Sequence, residues 1–243
     1  MMNDKYTPSI VIMDSPGFGH PDYRVVTSFL FMVDINMMLA LERPPFSSGR
    51  CYVIHREGDP MCSRCTAADI IYLSAKDNFW CQWVYQFAHE YCHHLINGSL
   101  TGEWSSLLWF EETVCELSSL NNLREMETFC ARNGLAYYAS SVRKYREDLM
   151  VRGSQTYDLD VAGGWRKEYE DLLSTGGYQR DLYNAIAVRM YPLFVENPKL
   201  WKLILHIGNI REWDSLDELF DHLISTADAS YEESLSRLRA VLI

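Results

Sequence analysis

Positive charge is scarce in this 243-residue chain: 22 lysines and arginines stand against 33 aspartates and glutamates, for a formal charge of −11. A surface of that sign repels phosphate backbones and anionic headgroups. No basic stripe or RNA-recognition signature runs against it, so neither nucleic acid nor a membrane is an expected partner. Read as a string, no stretch reaches the apolar length that a membrane span requires. The opening residues MMNDKYTPSIVIMDSPG carry one early lysine, an acid and an apolar run broken by proline, unlike a secretory signal. Regular cysteine spacing is also missing: Cys51, Cys62, Cys65, Cys81, Cys92, Cys115 and Cys130 are odd in number and scattered. That pattern excludes a disulfide framework, and together these features set the expectation of a cytoplasmic protein with free thiols. Cys62-Ser63-Arg64-Cys65 has no second pair at zinc-finger spacing. Cys51 and Cys81 could complete four sulfurs, but thiols in a turn are the simpler expectation. Internal repeats and low-complexity segments are absent.

What remains has the composition of an ordinary globular protein, 48% hydrophobic and 23% charged. The length suits one domain or two closely packed lobes. The first part alternates between element types. Ser9–Asp14 reads as a buried strand stopped at Pro16-Gly17, Asp22–Glu42 as a helix ended by Pro44-Pro45, and Arg50–Arg56 and Ala68–Ser74 as strands. From Asn78 the chain reads as helices: about Asn78 to Asn97-Gly98, Glu103–Arg132, Ala136–Val151, Trp165–Leu173, Arg180–Glu196, Lys199–His206, Ser215–Ser225 and Tyr231–Val241. Gly153–Gly164 is the expected flexible segment. The expected fold class is α+β: an N-terminal α/β lobe over residues 1–98 with an edge strand, a helix pair that joins it to the rest, and an all-helical lobe over residues 99–243.

Chemistry concentrates in His89-Glu90-Tyr91-Cys92-His93. A helix advances about 100° per residue, so the imidazoles of His89 and His93 share one face roughly 40° apart. Glu90 projects beside them, near enough to touch a metal-bound water but badly placed to ligate. Two nitrogen ligands and a general base thus fall within one turn. Trp80, Val84, Phe87, Tyr91 and Leu95 fall on the opposite side and should anchor the helix. Cys92 points away from the imidazoles, and His94 lies about 140° from His89 as a polar neighbour.

A catalytic zinc takes three protein ligands and leaves a fourth position for water. Eighteen residues intervene between His93 and Glu112, which lies on the next predicted helix after a turn with Asn97-Gly98 and Gly102. A hairpin of that length can return Glu112 over the imidazoles. Glu116, one turn further on the same face, is placed to accept the outer N–H of a ligand histidine. Glu111 is the adjacent competitor for the third ligand, pointing about 100° away.

HExxH, eighteen residues, then Glu resembles the gluzincin metallopeptidases, particularly their M1 aminopeptidase-like branch. Glu103-Trp104 and Leu108-Trp109-Phe110-Glu111-Glu112 resemble that branch's E-W-W and L-W-L-N-E segments, and the similarity spans about Phe79–Leu120. The resemblance implies a thermolysin-like zincin fold and one Zn2+ per chain held by His89, His93 and Glu112. It makes Glu90 the catalytic base and a peptide or small protein the substrate. Tyr183–Leu193 resembles the branch's Y-E-K-G helix, which implies Tyr183 as the donor that stabilises the oxyanion, with Tyr178 second and Tyr157 and Tyr191 behind them. The G-x-M-E-N segment that holds a substrate's amino terminus has no counterpart in the stretch IIYLSAKDN at 70–78. That departure, and the absence of large flanking domains, point to an endopeptidase of the compact minigluzincin type. The strand Ile70–Ser74 could still pair with an extended peptide at the sheet edge. An aminopeptidase with another amine anchor is the first alternative, and a silent zinc-stabilised interaction module the second. The resemblance to repressor-cleaving HExxH regulators is weaker, because those travel with a DNA-binding domain or partner. His20, His55, His206 and His222 have no ligand-like company, Met32–Met38 reads as core filling, and Leu216, Leu219, Phe220 and Leu223 as a packing face.

Overall fold

A computed structural model describes residues 9–45, 47, 49–64, 68–96, 107–161, 164–174, 178–208, 213 and 215–243. The architecture is α+β, with a small mixed sheet in the N-terminal part and helices after it. Strand β1 (Ile10–Ile12) leads to helix α1 (Tyr23–Ala40), then come β2 (Cys51–His55), β3 (Met61–Arg64) and β4 (Asp69–Leu73). The helices that follow are α2 (Trp80–Ile96), α3 (Leu108–Arg132), α4 (Ala136–Thr156), α5 (Trp165–Glu168), α6 (Glu170–Ser174) and α7 (Arg180–Glu196). A 3-10 segment at Pro198–Leu203 runs into α8 (Ile204–Ile207), and α9 (Leu216–Thr226) and α10 (Ala229–Leu242) close the chain. One hydrophobic core runs through both parts.

The sheet order is β1-β2-β4-β3, with β1, β2 and β4 parallel and β3 antiparallel to β4. This corrects two expectations. The strand read at Ile70–Ser74 is β4, which has a neighbour on each side and is no edge; the edge facing the helices is β3. The stretch around Cys62, read as a turn, is that strand. Four residues rich in Cys, Ser and Arg carry no period-2 apolar signal, which is why β3 cannot be read from composition.

Cys51, Val53, Ile71 and Leu73 alternate onto the buried face of the sheet, where α2 packs. Trp83, Val84, Phe87, Tyr91 and Cys92 of α2 are fully buried, each large apolar side chain contributing roughly 1.5–3 kcal/mol. Trp80 and Leu95 are partly covered. Polar bonds then fix the helix on the sheet. Gln86 Oε1 accepts the backbone N–H groups of Ser74 at 3.0 Å and Ala75 at 2.9 Å, and its Nε2 donates to Ser74 Oγ at 3.0 Å. His94 Nδ1 bonds Asp69 Oδ2 on β4 at 2.5 Å, a polar neighbour as expected. Asn78, expected as the cap of α2, accepts the Asp22 backbone N–H at 2.9 Å and joins the starts of α1 and α2.

Helix α1 has 18 residues and mean hydropathy 1.3, the length and apolarity of a membrane span, which the reading of the sequence did not allow for. In the fold its Val26, Phe29, Leu30, Val33, Met37 and Met38 enter the core, so part of the Met-rich stretch does fill it. Asp34 is buried among them and accepts the Tyr91 hydroxyl.

Helix α3 is central and buried on most sides despite low hydropathy. Small polar residues make that possible: Ser118 Oγ donates to the Ala88 carbonyl at 3.0 Å, and Ser119 Oγ to the Tyr85 carbonyl at 2.9 Å. Two hydroxyls thus satisfy themselves on the backbone of α2 and let the two helices approach closely.

Gly153, expected to begin a flexible segment, lies inside α4, which continues to Thr156. A Cβ there would sit 2.6 Å from both Ala185 N and Asp181 O of α7, so glycine is needed for the crossing of two helices. Gly153→Ala gains about 0.8–1.0 kcal/mol of helix propensity but meets backbone that must shift, at a cost of about 1–3 kcal/mol. A net stability loss on the order of 1 kcal/mol is expected in urea unfolding; a more stable variant would refute the crossing. The helix read at Trp165–Leu173 is divided into α5 and α6, and that at Lys199–His206 is partly 3-10. The expectations on Asn97-Gly98, Gly102, Glu103-Trp104, Cys65 and the first turn of the helix read from Glu103 lie outside the described residues.

Candidate metal centre

Helices α2 and α3 build the site between them. The rings of His89 and His93, one turn apart on α2, stand 5.1 Å apart at 64°. Glu112 of α3 meets both: Oε2 lies 3.3 Å from His89 Nε2, and Oε1 lies 3.5 Å from His93 Nε2. Ligands held at 2.0–2.2 Å by one tetrahedral ion are separated by about 3.3–3.6 Å. The two Glu112–imidazole separations, one on each carboxylate oxygen, suit a zinc ion. Cys115, one turn beyond Glu112, also offers a donor within 4.8 Å of both histidines. It is fully buried and hydrogen-bonds Cys92, which together push its thiol up; a coordinated ion would reverse that shift by taking the thiolate.

The outer nitrogens of the imidazoles face acids. His93 Nδ1 donates to Glu111 Oε1 at 2.7 Å, which leaves its Nε2 lone pair for the cavity. Glu111 thus takes a different place from the one considered for it: it is buried behind His93 and orients the ring. His89 Nδ1 and Glu116 Oε1 lie 3.6 Å apart, and neither atom makes a hydrogen bond among the described residues. The expected carboxylate stands behind His89, slightly beyond hydrogen-bond range. Glu116 is fully buried and is held by two residues that the motif did not point to. The Tyr85 hydroxyl donates to its Oε2 at 2.5 Å, and Arg180 Nε lies 3.3 Å from its Oε1. Arg180 Nη2 also donates to the Tyr85 hydroxyl at 2.9 Å and so closes a triangle.

Electrostatics follow from this crowding of acids on imidazoles. Burial alone would lower His93, but Glu112 and Glu111 outweigh it and hold the ring well above its ordinary value. His89 is raised in the same way by Glu112, Glu116 and Glu90. Burial would raise Glu112, yet the two imidazoles hold it far below the usual carboxylate range. Glu90 differs: burial raises it, and the histidines only partly compensate. A carboxyl raised by burial beside two imidazoles is a candidate for proton transfer.

A cleft of about 450 Å³ opens over these residues. His89, Glu90, His93, Glu111 and Glu112 line its floor, Asp59 to Cys62 of the β3 side form one wall, and Tyr178 and Arg180 stand opposite. The Cys62 backbone N–H bonds the Glu90 carboxyl, so β3 borders the site. Of the two tyrosines considered for an oxyanion, Tyr178 lines the cleft. Tyr183 is buried behind it, their rings 5.8 Å apart edge to face. Tyr157 packs on Tyr169 and Tyr191 accepts from Arg146, both away from the cleft. A larger cavity of about 530 Å³ beside Trp109 and Trp165 contains none of the motif residues.

Arg180, Tyr85, Gln86 and the β3 wall had no motif to announce them. The only signal for Arg180 was a lone cation at the start of a helix. The chain was compared with protein-family models and with curated proteins, and nothing matches.

Proposed function

We propose that this protein is a zinc-dependent metallopeptidase of gluzincin type, with one Zn2+ held by His89, His93 and Glu112. The observation that carries the reading is the convergence of Glu112 on both Nε2 atoms, with Glu90 beside them at the floor of a cleft. Zinc, when bound, supplies the Lewis acid that acidifies water and polarises a carbonyl. The chain's own residues do the rest. Glu111 and Glu116 orient the imidazoles through their Nδ1 sides. Glu90 accepts the proton of the attacking water and returns it to the departing amine. Tyr178, at the cleft, donates to the oxyanion, with Tyr183 packed behind it as its support. An extended peptide runs past the histidines beside β3, which is an edge strand among the described residues.

The lack of an amine-binding acid in the stretch before α2 favours cleavage of internal bonds. Asp59 on the cleft wall supports the aminopeptidase alternative, since it is an acid able to hold an amino terminus. Peptides with free and blocked amino termini separate the two. Metal analysis of the purified protein, followed by digestion of a peptide library, tests the class. One equivalent of zinc with cleavage supports it, zinc without any cleavage supports the silent module, and folded protein that takes up no zinc sinks both.

A further inference from the structure

Among the described residues lining the cleft, the fixed charges are Asp59, Glu90, Glu111, Glu112 and one permanent cation, Arg180. Its contacts use little of it. Glu116 faces Nε, the Tyr85 hydroxyl takes one Nη2 hydrogen, and the guanidinium lies over the Tyr85 ring at 5.2 Å. A guanidinium has five N–H donors in a fixed fork, and no described residue takes the other three. The side chain is 37% exposed, on the wall of the cleft. Both partners hold the fork from one side, so its orientation is set before anything binds.

Position adds to this. Glu116 Oε1 is 3.3 Å from Arg180 Nε and 3.6 Å from His89 Nδ1, so those two nitrogens are at most about 7 Å apart. An extended chain advances about 3.3–3.6 Å per residue. The fork and the Nε2 side of the ring each add a few ångströms, so a group bound on Arg180 belongs to a residue within about four of the bond that lies over the histidines. The fork matches a carboxylate.

Resting on the peptidase reading, we infer that Arg180 is a specificity residue that selects substrates carrying a carboxylate close to the scissile bond. That carboxylate can be a peptide's own C-terminus or an acidic side chain. The role is separate from holding Glu116: Nε and one hydrogen serve the protein, and the outward N–H groups serve the substrate.

Binding tests this without turnover, using the zinc-loaded Glu90→Gln protein and four fluorescent peptides of one core sequence. One ends in a free carboxylate, one in an amide, and two amides carry either an internal Glu or an internal Gln. The free-acid peptide, the internal-Glu peptide or both should bind about tenfold or more tightly than their neutral counterparts, as a charge-assisted bidentate contact allows. Whichever arm shows the preference names the source of the carboxylate. Adding Arg180→Gln should bring the ratio of charged to neutral binding close to one, and the ratio is the readout, since freeing Glu116 can lower the affinity for all four peptides alike. Arg180→Lys, which keeps the charge but loses the fork, should retain part of the preference, and it covers the case in which the Gln variant fails to fold. Equal binding of all four peptides by the Glu90→Gln protein overturns the inference, and so does a preference that survives loss of Arg180. A carboxylate preference in a protein whose parent cuts no peptide would overturn the peptidase reading alone.

Discussion

Glu90→Gln leaves zinc bound at the parent stoichiometry and lowers turnover on any cleaved peptide by about 10²–10⁴, the range supplied by a positioned acid–base group. The two halves of this result have separate causes. Zinc stays because Glu90 is not among the three converging donors and the amide occupies the same volume. Turnover falls because the amide cannot take up a proton. The carboxyl it replaces is buried and raised, with the Cys62 N–H on it and both imidazoles beside it. The fold does not need that charge, so thermal unfolding of the zinc-loaded variant should match the parent. Turnover in the variant within a few-fold of the parent would remove Glu90 from the mechanism, and lost zinc would mean that the ligand set is drawn wrongly.

Glu112→Ala and Cys115→Ser should separate even more widely when zinc affinity is measured. Removing a carboxylate that merely orients a ligand costs about 10–100-fold in affinity, so removing a ligand itself should cost more than a hundredfold. Glu112 approaches both Nε2 atoms at ligand-like distances, whereas Cys115 is sealed in the core with Cys92. Cys115→Ser should therefore leave zinc affinity within a few-fold and lower stability slightly by placing a hydroxyl in the thiol's buried position. The opposite ranking in a competition titration with a chromophoric chelator would make the third ligand a thiolate and end the gluzincin assignment.

His89, Glu90, His93 and Glu112 were legible because a helix turns regularly: once α2 and α3 are recognised, the phase of each side chain follows from its number. Glu116 followed in the same way, one turn on. Glu111 shows the limit of that logic. Its angle on α3 left it a competitor for the third ligand, and only the docking of α3 on α2 shows that this angle aims it at His93 Nδ1. Arg180 arrives from α7, 64 residues beyond Glu116, and no local period connects them. The docking itself depends on Ser118 and Ser119, whose polarity reads as surface and whose function is burial. Gly153 misleads for a related reason. Glycine marks a loop by its freedom and a helix crossing by its size, and only the neighbouring backbone of α7 distinguishes the two. Strand β3 was lost because its pairing, and not its residues, makes it a strand.

That short strand also sets a ruler for recognition. Met61–Arg64 spans four residues, and a strand rises about 3.4 Å per residue, so its edge offers main-chain grip over only some 13 Å of an extended partner. Because β3 runs opposite to the other three strands, a peptide lying antiparallel to it would share the direction of β4. A grip of that length reads few side chains, and discrimination then rests on the few groups facing the cleft. On the proposed peptidase reading, the edge is a short, nearly sequence-blind handle, and local unfolding of a target becomes the step that decides whether a protein can be cut.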